Sequence, residues 1–205
     1  EDPLNFADLD AFGNNNFSIE LDDLQTVINW VSECSWLQNE IDTSKISLIG
    51  HSRGGGIAIL KTTEENRLHK IISWSSPSDF NKLISQEKLK DWQETGVIYI
   101  HNGRTKQDMP LYYQFYEDIQ ANLNRIDISN ACRDMKIPQM IIHGSEDSTV
   151  PLEHAEYLKS LNPKAELRII DGANHVFDVS HPFNQESLPD YLRNVVETSL
   201  NFLKD

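Results

Sequence analysis

Lys45-Ile46-Ser47-Leu48-Ile49-Gly50-His51-Ser52-Arg53-Gly54-Gly55-Gly56 decides how the rest of the chain is read. A short apolar run of strand type meets a tight turn with Ser52 at its tip, and a glycine-rich helix start follows. This is the setting that a G-x-S-x-G nucleophile elbow requires. The turn cramps the backbone at the serine, and Gly50 and Gly54 are expected to remove side chains where strand and helix converge. Ser52 Oγ would then stand clear of the sheet beside the backbone N–H of Arg53. That N–H is a candidate oxyanion donor, supported by the positive end of the following helix. Three successive glycines disfavour a helix by roughly 1 kcal/mol each relative to alanine, so close packing or a special turn must offset them.

Upstream, Ala11-Phe12-Gly13-Asn14-Asn15-Asn16 reads as a loop rich in turn residues. Ser18 is a candidate N-cap, with Glu20, Asp22 and Asp23 in the first turn. Leu21, Leu24, Val27, Ile28 and Val31 recur at helical spacing, which predicts an amphipathic helix over 19–37. Trp30 and Trp36 are expected to pack in the core or on the helix flank. Downstream of the elbow, a helix should run to about Glu64, and Lys70-Ile71-Ile72-Ser73-Trp74-Ser75 reads as the next strand. A strand, helix, strand order with short connections implies parallel strands and a right-handed crossover.

Residues 80–136 break that rhythm. Lys82 to Trp92 looks helical, Val97 to Ile100 is a short strand, and Asn102-Gly103 signals a hairpin turn. Leu111 to Asn124 reads as a helix carrying Tyr112, Phe115, Tyr116, Ile119 and Leu123. The stretch is polar and aromatic and lies between two apparent sheet strands. It is therefore expected to be an inserted cap, dividing the core into residues 1–79 and 137–205. Tyr112 and Tyr116 are its candidate substrate-binding residues. The sheet pattern resumes at Gln139–Gly144, followed by a helix at 152–161, a strand at 165–170 and a closing helix from Ser187 to Leu203.

A chain of 205 residues can bury one sizeable core. Its net charge of −14, from 18 Lys+Arg against 32 Asp+Glu, argues against a nucleic-acid partner or an anionic membrane surface. No run approaches the length of apolar sequence that crosses a membrane. Cys34 and Cys132 are isolated, fit no metal-binding or disulfide pattern, and favour a reducing, cytoplasmic compartment.

A serine hydroxyl needs a base to take its proton, and the base needs an acid to orient it. His175 follows the 165–170 strand and Asp147 follows the 139–143 strand, so both share a sheet edge with Ser52. Asp79, after an earlier strand, is the reserve acid, and Glu146 and Asp171 are neighbours of the chosen loops. His51 and His143 lie beside strand ends and are expected to pack or hydrogen-bond locally. His69, His101, His154 and His181 are assigned to surface or cap positions. The order Ser52, Asp147, His175 leaves room for one helix and one strand between the last two, which the sequence contains.

Gly50-His51-Ser52-Arg53-Gly54-Gly55, His143-Gly144-Ser145-Glu146-Asp147-Ser148-Thr149-Val150-Pro151 and Gly172-Ala173-Asn174-His175 together resemble the three catalytic motifs of α/β-hydrolases. Within that superfamily the chain is similar to microbial carboxylesterases of the dienelactone-hydrolase and feruloyl-esterase type. The resemblance implies an α/β fold, a mostly parallel sheet with helices on both faces and a small cap. It also implies a serine esterase working through Ser52, His175 and Asp147 on a small-molecule ester, without metal or organic cofactor. A serine peptidase, an acyl-thioester hydrolase and a catalytically silent binding protein of the same fold are the alternatives. Relatives of this type carry further strands before the 19–37 helix, and a loop after one of them supplies a second oxyanion N–H. Glu1 is accordingly expected not to be the natural N-terminus, and the 45–50 strand is expected to want a neighbour on both sides.

Overall fold

Leu68–Trp74 and Gln139–Gly144 are apolar for most of their length, and each forms a strand buried by its neighbours. The computed structural model describes residues 5–37, 40–81, 86–180 and 182–204. Its elements, in order, are α1 (Leu9–Gly13), α2 (Phe17–Glu33), β1 (Ile46–His51), α3 (Arg53–Lys61) and β2 (Leu68–Trp74). Then come α4 (Gln86–Thr95), β3 (Val97–Asn102), β4 (Gln107–Tyr112), α5 (Gln114–Ala121) and α6 (Ile128–Arg133). The chain closes with β5 (Gln139–Gly144), α7 (Glu153–Leu161), β6 (Glu166–Ile170) and α8 (Asp190–Lys204). Two compact units result, one from Glu1–Asp23 with Asn81–Ile126, the other from Leu24–Phe80 with Asp127–Asp205.

The larger unit is a parallel sheet in the order β1-β2-β5-β6. Pairing of His51 with Trp74, Trp74 with Ile142 and Gly144 with Ile170 brings the C-terminal ends of the strands to one edge. On one face Ile72, Met140, Ile142 and Ile170 pack with Val195 and Phe202 of α8. Lys70 Nζ donates to the Phe202 carbonyl at 2.7 Å, satisfying an acceptor at the end of α8. Gln139, one residue out of phase with Met140, meets the other face, where Cys132 of α6 contacts it and Leu158 of α7. Burial pushes the Cys132 thiol up to about 11, so it is an inert core group. Among the described strands β1 pairs with β2 alone, and Ile49 on it is 47% exposed.

Glu65 is buried where β2 begins, and its carboxylate accepts from Arg67 Nε at 2.8 Å and Gln25 Nε2 at 2.7 Å. The Arg67 guanidinium outweighs burial and holds this carboxyl down at about 2. A carboxyl depressed on folding stabilises the fold above its unfolded value near 4.5, and that contribution is lost as pH falls towards 2. Glu65→Gln is expected to lower stability at pH 7 by on the order of 3 kcal/mol and to flatten the loss of stability between pH 4.5 and 2. Urea unfolding across that range checks both effects.

The smaller unit holds an antiparallel ribbon of β3 and β4. Trp92 of α4 is 2% exposed and donates to the Leu111 carbonyl at 2.8 Å, and Phe17 packs on Phe115 with ring centroids 4.8 Å apart. Asn102 Oδ1 accepts from the N–H groups of Arg104 and Thr105, so the hairpin closes through a four-residue connection rather than a two-residue one.

Several expectations need correction. Ser18 lies inside α2; the cap is Asn16, whose Oδ1 accepts from Ile19 N at 2.9 Å. That helix ends at Glu33 instead of residue 37, and residues 11–13 of the expected 11–16 loop are helical, as the end of α1, which Asp8 caps. Leu111 and Tyr112 belong to β4, so the following helix starts only at Gln114. Residues 1–23 group with the insert, whereas α6 belongs to the larger unit. Of the two placements expected for Trp30 and Trp36 the flank holds and the core does not: they are 54% and 67% exposed and pack edge-on against each other at the end of α2. The start of the helix expected from Lys82, at 82–85, lies outside the described residues, as does His181.

Candidate active site

Ser52 sits between β1 and α3 with φ 53° and ψ −124°, a conformation L-residues rarely adopt and one that concentrates at functional sites. Its N–H donates to the Trp74 carbonyl at 2.7 Å, and its own carbonyl accepts from Gly55 N, so both sides of the turn are fixed. Close approach accounts for Gly50: a Cβ there would stand 2.1 Å from the Gly54 carbonyl oxygen. Gly54, expected to play the same part, does not: a Cβ on it meets nothing within 4 Å. The helix turns it outward, and Gly55 and Gly56 face Ser76 and Phe80 instead. Gly50→Ala is therefore expected to destabilise the chain by about 3 kcal/mol or more. Gly54→Ala should leave stability unchanged or raise it by up to about 1 kcal/mol. Urea denaturation of the two variants makes the comparison.

The acid and base loops follow β5 and β6 and are stitched together. Glu146 N donates to the Ala173 carbonyl at 3.0 Å, and Gly172 N donates to Ser145 Oγ at 2.7 Å. Gly144 permits this contact, since a Cβ there would lie 2.2 Å from Ala173 O. Asp147 Oδ1 accepts from the N–H groups of Thr149 and Val150, each at 2.9 Å. Asp147 Oδ2 is 2.8 Å from His175 Nδ1, and His175 Nε2 is 2.9 Å from Ser52 Oγ. The structure thus brings Ser52, His175 and Asp147 into one hydrogen-bonded relay, and the carboxylate at His175 Nδ1 is that of Asp147, not Asp79.

The Asp147 side chain is fully buried. Burial alone would push its carboxyl up, but the Val150 N–H and the His175 imidazole more than offset this and hold it below its ordinary value. His143, also fully buried, donates from Nε2 to the Val150 carbonyl at 2.8 Å and lies 3.4 Å from Asp147 Oδ2. Burial pushes its pKa down, which keeps it neutral beside the acid. Around His175, Asn174 Oδ1 accepts from Val176 N and Asp178 N, and Phe177 is buried at φ 54°.

Arg53 opens α3 directly after Ser52. Tyr112 and Tyr116 belong to the smaller unit, and their bonds described here are internal to it. Tyr112 donates to Asp10 at 2.8 Å, and the Tyr116 ring packs against Tyr113 and Trp92. Among the described residues no group of three or more His, Cys, Asp or Glu could hold a metal ion, and no helix is long and apolar enough to cross a membrane.

The family model of BD-FAE matches residues 8–161, three quarters of the chain, including the elbow and the acid loop. The chain belongs to the BD-FAE family. Est1E from Butyrivibrio proteoclasticus superposes on the BD-FAE chain with a TM-score of 0.65 at 18% identity, over 92% of this chain and 70% of that one. That likeness shows the α/β-hydrolase fold. Among curated proteins, the non-reducing polyketide synthase adrD of Penicillium rubens is 28% identical over 146 residues, which is 64% of this chain and 6% of the synthase. The human serine hydrolase BPHL is 21% identical over 153 residues, 68% of this chain and 51% of that protein. The BD-FAE chain therefore spans only part of the length of the curated relatives it matches.

His143 hydrogen-bonds locally as expected, to the Val150 carbonyl, whereas His51 reaches the distant carbonyl of His175. Both stand at strand ends next to the chosen loops, which was the available signal. The partner of His51, the His175 carbonyl, emerges only once the strands are aligned.

Proposed function

We propose that the chain is a serine hydrolase of carboxylic esters that works through an acyl-enzyme. The observation that carries this reading is the relay from Ser52 Oγ through His175 to Asp147 at the open end of a parallel sheet. Ser52 Oγ attacks the acyl carbon while His175 Nε2 takes the hydroxyl proton. The backbone N–H of Arg53, at the start of α3, holds the resulting oxyanion, helped by the helix dipole. Collapse breaks the ester C–O bond, and His175 gives its proton to the departing alkoxide. Water then attacks the acyl-serine with His175 as base, releasing the acid and restoring Ser52. Asp147 keeps His175 in the tautomer with Nδ1 protonated and stabilises its cation.

Membership of BD-FAE supports this chemistry. The leaving group is the finer point. Purified chain should be assayed against p-nitrophenyl acetate and butyrate, an acyl thioester and an aminoacyl p-nitroanilide. Faster turnover of the oxygen esters is the expected result. Preference for the thioester or anilide would move the assignment to an acyl-thioester hydrolase or a peptidase, and inertness towards all of them would contradict it.

A further inference from the structure

We infer that His51, the residue before the nucleophile, is a positioning residue for the catalytic base, holding the backbone of His175 through a hydrogen bond from its Nε2. The inference rests on the esterase reading for its kinetic consequence and on geometry for its substance. His51 ends β1, and its Nε2 lies 2.8 Å from the His175 carbonyl oxygen. A carbonyl oxygen only accepts, so Nε2 must carry the proton. The two imidazole rings lie with centroids 4.9 Å apart, and His51 also meets Phe177 at 6.3 Å. The other anchors of this loop, Asn174 and the buried Phe177, secure the residues that flank the base. His51 hydrogen-bonds the main chain of His175 itself.

The consequence is geometric. His175 must keep Nδ1 on Asp147 and Nε2 on Ser52 at once, at 2.8 and 2.9 Å. Rotation of its backbone would lengthen one of these, and small displacements of a base are costly to turnover. The bond also links the strand that carries the nucleophile to the loop that carries the base. With Nε2 committed to the carbonyl, His51 does not compete for the serine proton.

Two substitutions separate the hydrogen bond from the ring contact. His51→Phe keeps a ring and removes the donor, whereas His51→Gln places an amide N–H near the position of Nε2. His51 is exposed, so both variants should fold. His51→Phe is expected to lower kcat about tenfold, with KM within about twofold, and His51→Gln to recover most of the loss. The second measurement needs no substrate: the proton NMR signal of the His175 Nδ1–H bonded to Asp147. It should be sharp in the unaltered chain and in His51→Gln, and broadened by exchange in His51→Phe. An unchanged signal and kcat in His51→Phe, or a His51→Gln variant as impaired as His51→Phe, would overturn the inference. If the unaltered chain turns over no ester, the esterase reading fails, and the NMR comparison still decides the role of His51.

Discussion

Ser52→Ala is expected to lower ester turnover by about a million-fold while leaving the fold in place. Oγ of Ser52 forms its hydrogen bond with His175, and the turn itself is held by main-chain bonds to Trp74 and Gly55. Alanine tolerates the same backbone conformation about as well as serine, so the strained φ of 53° gives no reason for misfolding. The catalytic loss is large because nucleophile and base act as a unit: without Oγ, His175 has no proton to move and no acyl-enzyme forms. Steady-state kinetics beside a thermal melt tests the two halves together. A variant that melts normally and keeps a tenth of its turnover would remove Ser52 from the mechanism.

Asp147→Asn should lower turnover by about ten-thousand-fold, and the hydrogen bonds around the carboxylate explain why. Thr149 and Val150 both present N–H groups to Oδ1, so an asparagine must keep its carbonyl oxygen on that side. Its NH2 group then faces His175 Nδ1, where a donor meets the imidazole. His175 responds by carrying its proton on Nε2, the nitrogen that has to accept from Ser52. The base is blocked by the wrong tautomer although every heavy atom stays in place. Asp79→Asn should leave kcat/KM within about twofold, because the acid at His175 Nδ1 is Asp147. The reverse ranking of the two variants in paired assays would move the acid to the loop after β2.

The parts of this molecule legible in its sequence are those with strong local signals. β1, β2 and β5 are apolar runs ended by glycine or serine, and the loops after β1, β5 and β6 carry Ser52, Asp147 and His175 within a few residues. The order of those loops along the chain was enough to pair Ser52, Asp147 and His175. Local signals failed where stability comes from elsewhere. β4 contains Gln107, Asp108 and Pro110, a poor strand by composition. It forms because a two-stranded ribbon pairs Pro110 opposite Tyr99, where a missing N–H is tolerated. Asn16 outcompetes Ser18 as a cap because the helix begins at Phe17, two residues before the start that the apolar periodicity indicates. Gly54 looked like a packing glycine by its place in the motif, but only the rotation of α3 decides which of the three glycines meets another chain segment. The bond from His51 to the His175 main chain crosses 124 positions of sequence and has no local signature at all.

The central claim is that Ser52 is an activated nucleophile, and covalent labelling tests it most directly. A fluorophosphonate releases fluoride and phosphonylates a serine only where a base takes the hydroxyl proton and the oxyanion is held. Intact-mass measurement followed by peptide mapping should show one adduct per chain, on Ser52, formed in minutes and absent from Ser52→Ala. A native, folded chain that stays unlabelled would contradict the account. So would an adduct on another serine, such as Ser78 beside His154.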